Sequence, residues 1–153
     1  MTGMPALHPM IVHFPLALIV SAACLLGAAR LPWADRHASV LSVVGTWNLC
    51  LGSVCLLAAL ATGLYASIGL NVGAAAHAAL AAHVKSAVLT ALLVLPAALW
   101  RGVGVAASSR PSAWFLALLW AATAALLMTG YRGGRNVYDY GIGVEIPAAG
   151  AMP

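Results

Sequence analysis

Apolar positions fill this chain in four long blocks, and the polar residues are gathered into the short gaps between them. No Asp, Glu, Lys or Arg occurs from His37 to Val84, from Ser86 to Trp100, or from Pro111 to Tyr131. One helix crossing a bilayer core takes about 20 mostly apolar residues, so the pattern predicts four spans. The first covers residues 9–29 and stops at Arg30 and the Pro32 breaker. The second covers 38–67 and is long enough to tilt. A Gly-Leu-Asn-Val-Gly connection follows, then a third span over 75–100 that closes at Arg101 and Gly102. The fourth covers 112–130 and opens after Pro111, a residue suited to a first helical turn. Lipid offers no partner to an exposed peptide group and the chain is too short for a barrel, so all four are expected as helices. Short connections join antiparallel neighbours. The expected fold is therefore an all-α, single-domain, up-down-up-down membrane four-helix bundle. Residues 131–153 form a Gly/Tyr/Arg tail, and no internal repeat is evident.

Composition narrows the class further. The 153 residues are 63% hydrophobic and 7% charged, whereas a soluble domain carries about 25% charged residues. A chain this poor in charge cannot cover a water-facing globule, and one this apolar is not disordered. The formal charge of +4 does not imply nucleic acid, because the basic residues stand singly at helix ends and form no basic patch with aromatics. Cys24, Cys50 and Cys55 fall inside apolar blocks and read as packing residues, not a disulfide framework. Met1 to Leu7 lacks the basic region of a secretory signal. Ser21-Ala22-Ala23-Cys24 lacks the leucine and basic flank of a lipoprotein site, so the first helix is expected to be retained.

Orientation follows from the Lys and Arg near the span ends. Arg30, Arg36, Arg101 and Arg110 lie on one side, against Arg132 and Arg135 on the other. The richer side is expected in the cytoplasm, which puts both termini on the outer, periplasmic side of a bacterial inner membrane. Trp33, Trp100 and Trp114 then mark the inner belt, and Tyr65, Tyr131, Tyr138 and Tyr140 the outer one.

With charge so scarce, the polar residues within the spans carry the chemical information. Four of the five histidines gather at one membrane face: His8 and His13 open the first span, His77 and His83 the third. At 1.5 Å per residue, His8 pairs in height with His77, and His13 with His83 at ~10 Å depth. An imidazole at that depth is costly unless hydrogen-bonded or ligated. Histidines on facing helices are how bundles hold haem or metal. Neither pair on one helix has the three- or four-residue spacing that shares a face, so any site must be built between helices. The first and third helices of such a bundle stand diagonally, with room for a macrocycle, and His13 and His83 are the candidate ligands. Two axial imidazoles on one iron suit electron transfer, since no coordination position stays open. The plainer reading leaves each histidine as a hydrogen-bonded interfacial residue. His37, beside Arg36, reads as solvated.

Lys85 is the only ionised group well inside a span; it either snorkels outward, pairs with an acidic group such as a haem propionate, or contacts a quinone. Asn48, mid-span, reads as an interhelical hydrogen bond. The tail from Tyr131 to Val144 is dense in glycine, tyrosine and arginine. Its glycines permit tight turns, and Arg132 and Arg135 suit carboxylates. It returns to the histidine face, where it serves either the site or as an interfacial anchor.

His8-Pro9-Met10-Ile11-Val12-His13-Phe14-Pro15, together with Gly133-Gly134, Val137-Tyr138, Tyr140-Gly141 and Gly143-Val144, resembles an uncharacterised bacterial membrane family, the domain of unknown function numbered twenty-two thirty-one. The resemblance covers nearly the whole chain; His83 also fits the pattern, and His77 fits it less clearly. Members of that family have about four spans, and relatives fused to Rieske iron–sulfur or c-type cytochrome domains imply membrane redox chemistry. This chain has no CxxCH and no iron–sulfur cysteine pattern, so a cofactor would be held without covalent attachment, as b-type haem is.

Three functions follow as expectations. The first is a small b-type cytochrome-like subunit passing electrons between a periplasmic cytochrome or iron–sulfur partner and quinone or a membrane enzyme. His13 and His83 are its axial ligands, with His8, His77, Lys85, Arg132 and Arg135 around the haem edge. The second is a copper- or zinc-handling protein using the histidines. The third is a cofactor-free structural subunit. An electron carrier is favoured over a self-contained enzyme. A hydrolase is disfavoured because Asp35, Asp139 and Glu145 all lie outside the spans, and a transporter lacks a broken-helix pair or a mid-membrane acid.

Overall fold

A computed structural model of the chain describes residues 7–68, 70 and 72–144. Residues 1–6, 69, 71 and 145–153, and with them the segment before the first helix, Glu145 and the end of the tail, lie outside the described residues. The described chain is all-helical: α1 (Leu7–Ile11), α2 (His13–Ala28), α3 (Ala38–Ser67), α4 (Ala74–Val103) and α5 (Ala113–Tyr138), with a 3-10 turn over Pro32–His37 before α3. Helices α1 and α2 form one span. Pro15 has no N–H to return to the Ile11 carbonyl, which accounts for the break. Val12 nonetheless keeps helical angles, and its carbonyl accepts from the Leu16 N–H at 3.4 Å. Among the described residues, four helices, with α1 and α2 counted as one, are thus long and apolar enough to cross a membrane.

Local chemistry sets the ends. Pro32 sits at the start of the 3-10 turn. The Ser112 hydroxyl caps α5 by accepting the Phe115 N–H at 3.2 Å. One expectation is corrected here: the last helix does not stop at 130 but runs to Tyr138, so Tyr131 to Tyr138 is helix and not tail. Gly133 and Gly134 lie inside it. The glycine turns come later, at Gly141 (φ 63°) and Gly143 (φ 81°), where the Gly141 and Ile142 N–H groups close the helix on the Val137 and Asn136 carbonyls.

The spans pack as a ring. Helix α2 lies on α3, α4 on α5, α3 on α4 and α2 on α5, which leaves α2 and α4 diagonal. Small residues set the close approaches, as lipid-immersed packing requires. A Cβ on Gly45 would stand 2.7 Å from Leu26, and one on Gly52 would stand 2.8 Å from Ile19. The large exposed side chains, among them Trp47, Val54, Leu92 and Leu99, face outward from the bundle.

The buried positions reveal a repeat that the letters do not show. Pro15, Ile19, Ala22, Ala23 and Leu26 of α2 have the same spacing as Thr90, Val94, Ala97, Ala98 and Arg101 of α4, and all ten are buried. Leu49, Gly52, Ser53 and Leu56 of α3 match Leu119, Ala122, Thr123 and Leu126 of α5 in the same way. The contacts between the halves correspond too: Gly27 of α2 meets Trp120, and its counterpart Gly102 of α4 meets Cys50, the counterpart of Trp120. The bundle is two like-oriented helical hairpins related by a pseudo-two-fold axis along the bundle. The identities diverge because any apolar residue serves in such a core.

Candidate functional site

The same symmetry governs the histidines. His8 of α1 reaches across to α3, where its Nδ1 lies 3.0 Å from the Ala59 carbonyl and 3.3 Å from the Thr62 hydroxyl. His83 of α4 reaches across to α5, where its Nδ1 lies 3.1 Å from the Thr129 carbonyl. A carbonyl only accepts, so Nδ1 carries the proton in both rings and Nε2 keeps its lone pair. Among the described residues no hydrogen bond is made to either Nε2.

One helical turn beyond each accepting carbonyl is a glycine that lies against the ring. A Cβ on Gly63 would come within 2.8 Å of the His8 Cε1, and one on Gly133 within 3.1 Å of the His83 Cε1. Ala59 and Gly63 correspond to Thr129 and Gly133 under the repeat, as His8 corresponds to His83. Each hairpin therefore carries one copy of the same device: an imidazole on the first helix, seated on a glycine of the second and fixed by a backbone carbonyl. Both rings are half-buried. Arg132 lies near the second ring, donating to the carbonyl of Ala82, the residue before His83.

The other expected site residues are dispersed. His13 and His77 are exposed on the outside of the bundle, so the structure brings His8 and His83 inward rather than His13 and His83. Lys85 is exposed and lines a cleft with Arg132, whose Nη1 donates to the Ala82 carbonyl at 3.2 Å. Arg135 is paired with Asp139 at 2.6 Å on the surface. Asn48 donates to the Ser21 hydroxyl at 2.7 Å, an interhelical bond as expected. Gly63 was missed altogether; the signal available was a glycine one turn past a small residue on the helix facing His8.

At the opposite end of the bundle, Arg101 is 2% exposed. Its Nε donates to the Thr46 hydroxyl at 3.0 Å, and its Nη atoms donate to the Ala107 carbonyl and to the hydroxyl and carbonyl of Ser109. The guanidinium carbon lies 5.9 Å from the centre of the Phe115 ring. This side chain pins the loop between α4 and α5 to the bundle. Arg110 and Asp35 form an exposed ion pair at 2.6 Å beside it.

The donor set at the histidine face is a pair of imidazoles. Among the described residues, no three His, Cys, Asp or Glu side chains gather as a metal-ion set. A ligating histidine normally donates its second ring N–H to a carbonyl or carboxylate, which fixes the ring and strengthens the free nitrogen as a donor. Both rings meet that requirement, each with its Nδ1 held by a backbone carbonyl. No curated protein and no solved structure matches the chain. A family model described as a predicted membrane protein (DUF2231) matches residues 4–146, and the chain belongs to that family.

Proposed function

We propose that this multi-pass membrane protein is a small electron-transfer subunit that holds one b-type haem between His8 and His83. The observation that carries the reading is the duplicated arrangement of Nδ1 on a carbonyl and ring on a glycine, which leaves two equivalent Nε2 lone pairs on helical segments related by the pseudo-axis. Haem bound there would supply reversible one-electron transfer, and ligation from both sides suits a carrier more than an oxygen-activating enzyme.

The chain's own residues do the positioning. The Ala59 and Thr129 carbonyls hold the tautomer, and Gly63 and Gly133 set how closely each ring approaches the neighbouring helix. Arg132, bonded to the carbonyl of Ala82 beside His83, places a positive charge there, which favours the reduced, less positive state of a bound group. The histidine face is taken as periplasmic, so the partner is a periplasmic cytochrome or iron–sulfur protein on that side, with quinone or a membrane enzyme as the other redox partner.

The test is cofactor content. Protein purified in mild detergent from haem-supplemented cells is expected to give reduced α and Soret bands and one haem per chain by pyridine haemochrome. A colourless protein with stoichiometric copper or zinc would move the assignment to metal handling. Neither haem nor metal would leave the histidines as packing residues.

A further inference from the structure

The repeat also marks a place on the outer surface where the two hairpins differ in charge. On the outer surface of α4 and α5, Lys85 and Arg132 flank a cleft of about 230 Å³ whose apolar wall includes Leu89 and Met128. The corresponding positions of the first hairpin are Met10 for Lys85 and Thr62 for Arg132, with no charge at either. Among the described residues neither cation of the cleft has a carboxylate partner, since Asp35 pairs with Arg110 and Asp139 with Arg135.

The depth of the cleft suits a lipid. Helix α4 has 30 residues, ~45 Å at 1.5 Å per residue, against a hydrocarbon core of ~30 Å. With the helix centred on the core, Lys85, ~16 Å along it from Ala74, has its backbone about 9 Å inside the core, and its extended side chain carries the ammonium back toward the headgroup level. Arg132 reaches the Ala82 carbonyl, nearly a turn closer to that helix end. Two cations at the mouth of an apolar cleft, reaching from within the core toward the glycerol and phosphate layer, complement a phosphate ester joined to an acyl chain.

We infer that the Lys85–Arg132 cleft is a binding site for one anionic phospholipid. The phosphate sits between the ammonium and the guanidinium, and an acyl chain lies along Leu89 and Met128. The site shares Arg132 with the haem reading but does not need a haem to be bound. Each cation near an anionic lipid surface favours binding about five-fold, so the pair is expected to enrich anionic over zwitterionic lipid about twenty-five-fold.

The full chain is reconstituted in nanodiscs of equal phosphatidylglycerol and phosphatidylcholine, and bound lipid is counted by native mass spectrometry. One phosphatidylglycerol should be retained per chain, and Lys85→Gln with Arg132→Gln should abolish the preference. Met10→Lys with Thr62→Arg, which copies the cations onto the first hairpin, should raise the count to two. Lys85→Gln alone changes only an exposed side chain, so its roughly five-fold loss keeps the test valid if the Arg132 variant fails to fold. Equal retention in the wild type and Lys85→Gln would overturn the proposal, as would displacement of the lipid by millimolar inorganic phosphate.

Discussion

Gly63 lies against the His8 ring so closely that a Cβ would stand 2.8 Å from Cε1, and Gly133 stands in the same relation to His83 with a corresponding distance of 3.1 Å. The glycines are part of the site because they decide where the imidazoles can sit. In Gly63→Ala the His8 ring must move off the Ala59 carbonyl or the helices must part. Overpacking of this kind costs about 1–3 kcal/mol. The expected result is a lower thermal midpoint in detergent together with weaker haem retention. Gly133→Ala should show the same effects more mildly, since its contact is looser. Gly134→Ala, with open space at its Cβ, is the control and should leave haem retention unchanged.

Arg101 governs the loop at the other end. Removing it in Arg101→Ala takes away the donors to Ala107 and Ser109, each worth about 1.5–3 kcal/mol when one partner is charged. Limited proteolysis of the loop between α4 and α5 should accelerate several-fold in this variant. Arg110→Ala removes only an exposed ion pair with Asp35, worth about 0–1 kcal/mol, and should leave the cleavage rate nearly unchanged. Similar rates for the two variants would mean that Arg101 does not hold the loop.

Sidedness can be read by cysteine labelling. With Cys24, Cys50 and Cys55 replaced, Ser109→Cys and Tyr140→Cys place single thiols at opposite ends of the bundle. A membrane-impermeant maleimide added to intact spheroplasts should label the Tyr140 position, and the Ser109 position should react only after permeabilisation. The reverse pattern would put the histidine face in the cytoplasm and remove the periplasmic partner from the functional reading.

The four spans were legible because charge is excluded from hydrocarbon so strongly that its absence alone outlines the helices. Asn48 was legible for a related reason, since an amide at mid-span must find a partner, and Ser21 supplies one. The choice of histidine pair was not legible. Counting residues along a helix gives depth but not which way a side chain points, so His13 matched His83 in height while facing outward. The helical turns of α4 between Ala74 and His83 also made His77 look like the counterpart of His8, when the buried register pairs His8 with His83. The repeat was hidden because Ile19 and Val94, or Gly45 and Phe115, fill equivalent places with dissimilar side chains. The end of the last helix was misjudged because Gly133 and Gly134 suggest a turn, whereas Gly133 is helical and lies against His83.

The central claim is that His8 and His83, and not the pair matched by depth alone, form the ligand site. It is tested most directly by reduced-minus-oxidised absorption spectra of four purified single variants, His8→Ala, His13→Ala, His77→Ala and His83→Ala, each grown with added haem. The account predicts that the α and Soret bands are lost in His8→Ala and His83→Ala and persist at near wild-type intensity in His13→Ala and His77→Ala. Bands that survive in His8→Ala but vanish in His13→Ala would contradict it.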